Sequence, residues 1–125
     1  MNQVIIRGRL SQEVEVRYTK TGKAVATFSV AVSRGRPKEG EKELTDFIPV
    51  QCWQGMAESA GNLLAKGNEV CVMGSWRNRS YEASDGQKRR VTELAAEFIG
   101  TSITNKVRSE KSDADFGSFG EEVAF

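Results

Sequence analysis

The sequence predicts an all-β domain of five strands with one short helix between the third and fourth. Three observations carry this. Apolar residues alternate with period two in successive stretches, helical spacing appears once, from Gln54 to Lys66, and all periodicity is lost after about residue 103. The 125 residues, 38% of them hydrophobic, suffice for one core and argue against a second full domain.

The first stretch places Val4, Ile6 and Leu10 on one face and Ile5, Arg7 and Arg9 on the other, with a bend expected at Gly8. Val14, Val16 and Tyr18 resume the alternation, so residues 3 to 18 hold one long bent strand or two short ones. A turn over Thr19 to Lys23 leads to the clearest strand, where Ala24, Ala26, Phe28, Val30 and Val32 alternate with Val25, Thr27, Ser29, Ala31 and Ser33. Residues 34 to 44 carry four bases, three acids, two Gly and a Pro without periodicity, which reads as a solvated loop.

The third strand spans Thr45 to Trp53, with Ile48, Val50 and Cys52 opposite Phe47, Pro49, Gln51 and Trp53. Pro49 has no ladder donor and implies an edge or irregular position. Met56, Ala60, Leu63 and Leu64 then define a helix that stops at Gly67, the residue type best suited to a left-handed C′ position. The fourth strand runs from Asn68 to Tyr81, with Val70, Val72 and Trp76 facing one way and Cys71, Met73, Arg77, Arg79 and Tyr81 the other. Ser84-Asp85-Gly86 makes a hairpin turn into a fifth strand, Arg90 to Ile99, where Val91, Ala95 and Ile99 oppose Leu94, Ala96 and Phe98. Strand, strand, strand, helix, strand, strand is the order of the five-stranded OB-fold barrel. The chain divides into that domain, residues 1–103, and a disordered acidic tail, residues 104–125.

Composition excludes several classes. There is no His, and Cys52 and Cys71 are not in a C-x-x-C spacing, so no zinc site is expected, and neither is a cofactor or a His-dependent nucleophile. Both cysteines read as reduced sheet residues. The longest apolar run, Val70 to Met73, is far short of the roughly 20 residues of a membrane span, and the first residues form no secretory signal. A soluble cytoplasmic protein without catalytic residues is expected. Glu93 and Glu97, on one strand face, are the single carboxylate pair an enzyme reading can use, and a solvated face accounts for them more simply.

The outer faces of strands three and four present Phe47 and Trp53 beside Arg77, Arg79 and Tyr81. Aromatic rings stack on bases and mobile cations neutralise phosphates, so this pattern fits a flexible single strand of nucleic acid. Arg34 and Arg36 in the first loop, and Lys88, Arg89 and Arg90 after the hairpin turn, extend it. The alternative is an OB-fold interaction subunit that uses the same aromatic face to bind protein. Charge is also segregated: residues 1–112 carry 18 bases and 13 acids, while residues 113–125 carry four acids and no base. That stretch ends Glu121-Glu122-Val123-Ala124-Phe125, an acidic, Phe-ended segment suited to an apolar pocket ringed by bases on a partner.

These residues together resemble the bacterial single-stranded DNA-binding protein family over residues 2 to about 103. The resemblance rests on Asn2-Gln3-Val4-Ile5-Ile6-Arg7-Gly8-Arg9-Leu10, on Glu15-Val16-Arg17-Tyr18 with Gly22, Ala24-Val25-Ala26 and Val30-Ala31, on Thr45-Asp46-Phe47 and Trp53, and on Lys66-Gly67, Val70, Gly74, Arg77, Arg79 and Tyr81. It implies sequence-tolerant binding of single-stranded DNA in replication, recombination and repair. Phe47, Trp53 and Tyr81 would stack bases, with Arg7, Arg34, Arg36, Arg77, Arg79, Lys88, Arg89 and Arg90 on phosphates. It further implies a homotetramer, association with the nucleoid, and recruitment of replication and repair proteins through residues 121–125. Two departures are visible: Arg36 stands where the family often has an aromatic, and the tip lacks the family's Pro before Phe125.

Overall fold

A computed structural model describes residues 1–105. The expectations for the tail beyond residue 105, including Glu121 to Phe125, fall outside the described residues. Six strands and one helix follow one another: β1 Val4–Leu10, β2 Glu15–Tyr18, β3 Ala24–Ser33, β4 Thr45–Trp53, α1 Gln54–Leu63, β5 Glu69–Glu82 and β6 Lys88–Thr101. The sheet order is β1-β5-β6-β4-β3-β2, and β1 pairs also with β3. That last pairing, Arg9 with Ala31 and Leu10 with Val30, closes the sheet into a barrel.

Of the two expectations for residues 3 to 18, two short strands form. Both pair with β3, first β1 near Val30 and then β2 from Thr27 to Ala24, so together they make one interrupted wall of a five-stranded OB-type barrel. At Gly8 a Cβ would run into the Ala31 carbonyl and the Val30 side chain. Only glycine lets β1 approach β3 closely enough to close the ring.

The interior follows the alternation. Leu10, Ala24, Ala26, Phe28, Val30, Val50, Cys52, Val70, Val72 and Leu94 are buried, with Ala57, Ala60 and Leu64 of the helical region packed among them. Burial pushes the Cys52 thiol up to about 11. Pro49 faces Ser29 on β3, and the parallel pairing of β4 with β6 involves Val50 and Gln51, so the proline sits where β4 has one neighbour.

Three expectations are corrected. The helix ends at Leu63 rather than running to Lys66, and Leu64 leaves it in an extended conformation. Gly67 is therefore not its C′ residue. Its positive φ of 90° serves a separate turn, where its N–H donates to the Leu10 carbonyl and the Leu10 N–H donates to the Asn68 carbonyl. That turn ties the β5 entry to β1. Second, Met73 pairs with Phe98 but Gly74 with Ala96, so Glu97 is an extra, bulged residue. The bulge reverses the alternation: Leu94, Ala96 and Ile99 turn toward the core, and Phe98 is 54% exposed instead of sharing a face with Leu94. The same insertion separates Glu97 from Glu93, which is not on a solvated face but only 5% exposed. Third, Trp76 does not join the core with Val70 and Val72. It faces the same side but lies beyond the barrel rim, where no opposing wall covers it, and is 38% exposed.

Candidate nucleic-acid interface

Past the rim, β5 and β6 continue as a two-stranded ribbon, paired from Ser75 with Ala95 out to Glu82 with Lys88. Its turn has the expected chemistry. Gly86 takes φ 81°, the Ala83 N–H donates to the Gln87 carbonyl, and Asp85 Oδ1 accepts from the Gln87 N–H. Directly opposed residues in an antiparallel pair point to the same side, so register assigns every side chain of the ribbon to one of two faces.

The outer face carries Ser75, Arg77, Arg79 and Tyr81 of β5 with Arg89, Val91, Glu93 and Ala95 of β6. Ala95 pairs with Gln51, which lies between Phe47 and Trp53 on the outer face of β4, so the surface is continuous. Phe47 is 63% exposed and Trp53 46% exposed. Rings so open on strand faces contribute little to the core and are available to stack.

Register adds two residues that sequence reading passed over. Arg9 pairs with Ala31, and Ala31 with Phe47, so Arg9 is in line with Phe47 across β1, β3 and β4. Arg17 pairs with Val25, and Val25 with Trp53, which aligns Arg17 with Trp53. Arg7 is not in either row by pairing: it lies opposite Cys71 on β5, and with Arg9 it lines a groove shared with Ala31, Thr45 and Glu69. The parity that selected Arg7 applies equally to Arg9, but only pairing separates them.

Alternation also splits the basic run after the turn. Arg89 pairs with Tyr81 on the outer face, whereas Lys88 pairs with Glu82 and Arg90 with Ser80 on the inner one. Arg36 is exposed in the loop before β4.

The predicted phosphate contacts differ in how far they are already satisfied. Arg34 holds Asp46 through two hydrogen bonds, Nε to Oδ2 at 3.0 Å and Nη2 to Oδ1 at 2.9 Å. The hydrogen bonds from Arg34 hold the Asp46 carboxyl below the usual carboxylate range, and the Arg34 guanidinium is raised in turn. Arg7 Nε donates to Glu69 at 3.0 Å, Arg89 pairs with Asp85 at 3.2 Å, and Arg79 Nε donates to Glu93 at 2.6 Å. Among the described residues, Arg36, Arg77, Lys88 and Arg90 make no ion pair with a carboxylate. The Arg79 guanidinium also stands 5.7 Å from the centroid of the Tyr81 ring, a cation–π distance that holds the ring in place.

An apolar row crosses the outer side of β1, β5 and β6. Ile5 pairs with Met73, and Met73 with Phe98, with Ile5 58% exposed. No helix among the described residues is long and apolar enough to cross a membrane.

Comparison with known proteins agrees with this geometry. The chain is similar to the single-stranded DNA-binding protein 3 of Clostridium acetobutylicum, 42% identical over 117 residues, which covers 89% of this chain and 81% of that protein. It is 46% identical over 100 residues to the single-stranded DNA-binding protein of Clostridium tetani, covering 79% and 68% of the two chains. It is 39% identical over 129 residues to the single-stranded DNA-binding protein of Bacillus cereus, covering 96% and 75%. With residues 1–102 also matching the single-strand binding protein family, the chain belongs to that family.

Proposed function

We propose that this chain binds single-stranded DNA without sequence preference, through the outer face of β4 and of the β5–β6 ribbon. The observation that carries the reading is the run of open aromatics, Phe47, Trp53 and Tyr81, on one continuous surface with Arg77 and Arg79. Bases stack on the rings and phosphates meet the cations, neither of which reads sequence. As a family member it is a binding protein rather than an enzyme, and replication, recombination and repair are the settings typical of the family.

In this reading Phe47, Trp53 and Tyr81 stack bases, while Arg36 and Arg77, which make no ion pair among the described residues, supply phosphate contacts, and Arg9 and Arg17 extend the path over β1 and β2. Binding resides in residues 1–103. Residues 104–125 form the partner-recruiting segment, with Glu121 to Phe125 contacting replication and repair proteins. The Ile5, Met73 and Phe98 row, in which Ile5 and Phe98 are exposed, supports a homo-oligomer, a tetramer in the family's manner, because an open apolar stripe is a common mark of a subunit interface. The corresponding location is the cytoplasm, at the nucleoid.

The test is fluorescence anisotropy of a labelled thymine oligomer and of a duplex of the same length, each at low and high salt. Tight, salt-sensitive binding to the single strand and weak binding to the duplex is expected. Phe47→Ala should weaken it by about 1 to 3 kcal/mol with unchanged oligomeric state. Equal affinity for both nucleic acids, or loss of assembly in Phe47→Ala without loss of DNA, would assign the aromatic face to protein instead.

A further inference from the structure

The inner face of the β5–β6 ribbon carries a second set of base-stacking and phosphate-binding groups. It holds Trp76, Asn78, Ser80 and Glu82 of β5 and Lys88, Arg90 and Thr92 of β6. Trp76 is open, and Asn2 anchors its backbone from behind. The Asn2 side-chain amide donates to the Trp76 carbonyl at 2.8 Å, and the Trp76 N–H donates to Asn2 Oδ1 at 2.9 Å. Asn78 accepts from the Thr92 hydroxyl at 2.6 Å, a tie between directly opposed residues of the two strands, between Trp76 and Arg90. Ser80, the partner of Arg90, lies four residues beyond Trp76, about 13 Å along the strand.

Charge distinguishes the two faces in an unexpected direction. On the outer face Arg79 is held by Glu93 and Arg89 by Asp85, leaving Arg77 without an acidic partner. On the inner face Lys88 and Arg90 make no ion pair among the described residues, although Glu82 stands opposite Lys88. The inner face thus presents two cations without an acidic partner and a tryptophan, the complement of a polyanion with flat bases.

We infer that the ribbon is a two-sided arm: single-stranded DNA leaving the outer face turns around it, stacks a base on Trp76 and places phosphates on Lys88 and Arg90. This rests on the proposed DNA binding and adds a site to it. A ribbon with no wall behind it is open to a strand on both sides, which a barrel strand is not.

Trp53 and Trp76 are the chain's two tryptophans, so Trp53→Phe leaves Trp76 as the sole reporter. Its emission is followed during titration with a long thymine oligomer, while anisotropy of the labelled oligomer independently marks saturation. Trp76 emission should be quenched at saturation. Adding Lys88→Gln and Arg90→Gln should remove most of that quench while the oligomer still binds, and Trp76→Ala in the otherwise unchanged chain should weaken long oligomers by about fivefold or more. Unchanged Trp76 emission at saturated binding overturns the two-sided arm and leaves the outer-face reading intact. Emission that follows protein concentration instead of oligomer also overturns it, and assigns Trp76 to contact with a second copy. Absence of oligomer binding by the unaltered chain would instead remove the proposed function itself.

Discussion

Arg79 and Glu93 are joined across the ribbon by a 2.6 Å hydrogen bond between a half-exposed guanidinium and a buried carboxylate. A carboxylate that is 7% exposed at its side chain needs this partner, and the same guanidinium steadies the Tyr81 ring. Arg79 is thereby engaged in ordering the proposed binding surface before any ligand arrives.

Removing Arg79 should therefore cost stability as well as binding. Arg79→Ala leaves Glu93 without its buried partner and should lower unfolding free energy by about 2 kcal/mol, against less than about 0.5 for the exposed Arg77→Ala. The double variant Arg79→Ala with Glu93→Gln should recover part of the loss. Urea unfolding of the set measures this, and equal effects of Arg77→Ala and Arg79→Ala would contradict it.

Internal ion pairs also set the salt response. For a single strand each phosphate neutralised contributes about 0.7 to the slope of log affinity against log salt. Arg77→Ala should reduce the slope by about that amount. Arg34→Ala combined with Asp46→Ala removes a pair of zero net charge and should leave it nearly unchanged. An equal reduction in both would mean that Arg34 leaves Asp46 for phosphate.

Gly74 is fixed by close packing. A Cβ there would overlap the Ala95 carbonyl, a backbone atom beside the Glu97 bulge that has no room to yield. Gly74→Ala should destabilise by about 2 kcal/mol or more. Gly55→Ala, on α1 with open space around it, should be neutral or slightly stabilising. Thermal melts of the two variants compare them directly.

Cys52 gives an alkaline signature. Its thiol pKa is raised by burial from 9.0 to about 11, so between these values the unfolded chain releases a proton that the folded chain retains. Folding stability should accordingly fall as pH rises from about 9 toward 11, by on the order of 2 kcal/mol from this group. Unfolding of Cys52→Ala should show a shallower decline over the same range. Identical pH profiles would exclude the effect.

The fold was legible wherever a strand has a wall on one side and solvent on the other. β3 meets that condition along most of its length, and its buried Ala24, Ala26, Phe28 and Val30 follow the pattern residue by residue. Trp76 fails it because alternation reports which way a side chain points, not whether anything stands there to cover it. Phe98 fails because a bulge leaves no mark in composition: Glu97 reads like any outward residue until its pairing is known. The site was legible as a set of residue types but not as an arrangement. Arg34 with Asp46 and Arg79 with Glu93 are separated by 12 and 14 residues, so strand register decides which cations are already neutralised. Alternation alone separates Arg89 from Lys88 and Arg90, and pairing across the Asp85-Gly86 turn then assigns their faces.

Closure of the barrel depends on a narrow seam, the two residue pairs that join Arg9 and Leu10 to Ala31 and Val30. Every other junction of the closed ring except the parallel one between β4 and β6 is longer. Opening along the seam would part β1 from β3 while leaving the β3-β4 hairpin, and the rings it displays, intact. The Ser11 amide hydrogen, which donates to the Ser29 carbonyl beside the seam, should therefore exchange through a smaller opening than those at the centre of β3 and β4, so the barrel can breathe at its closure without disturbing the proposed DNA-binding surface.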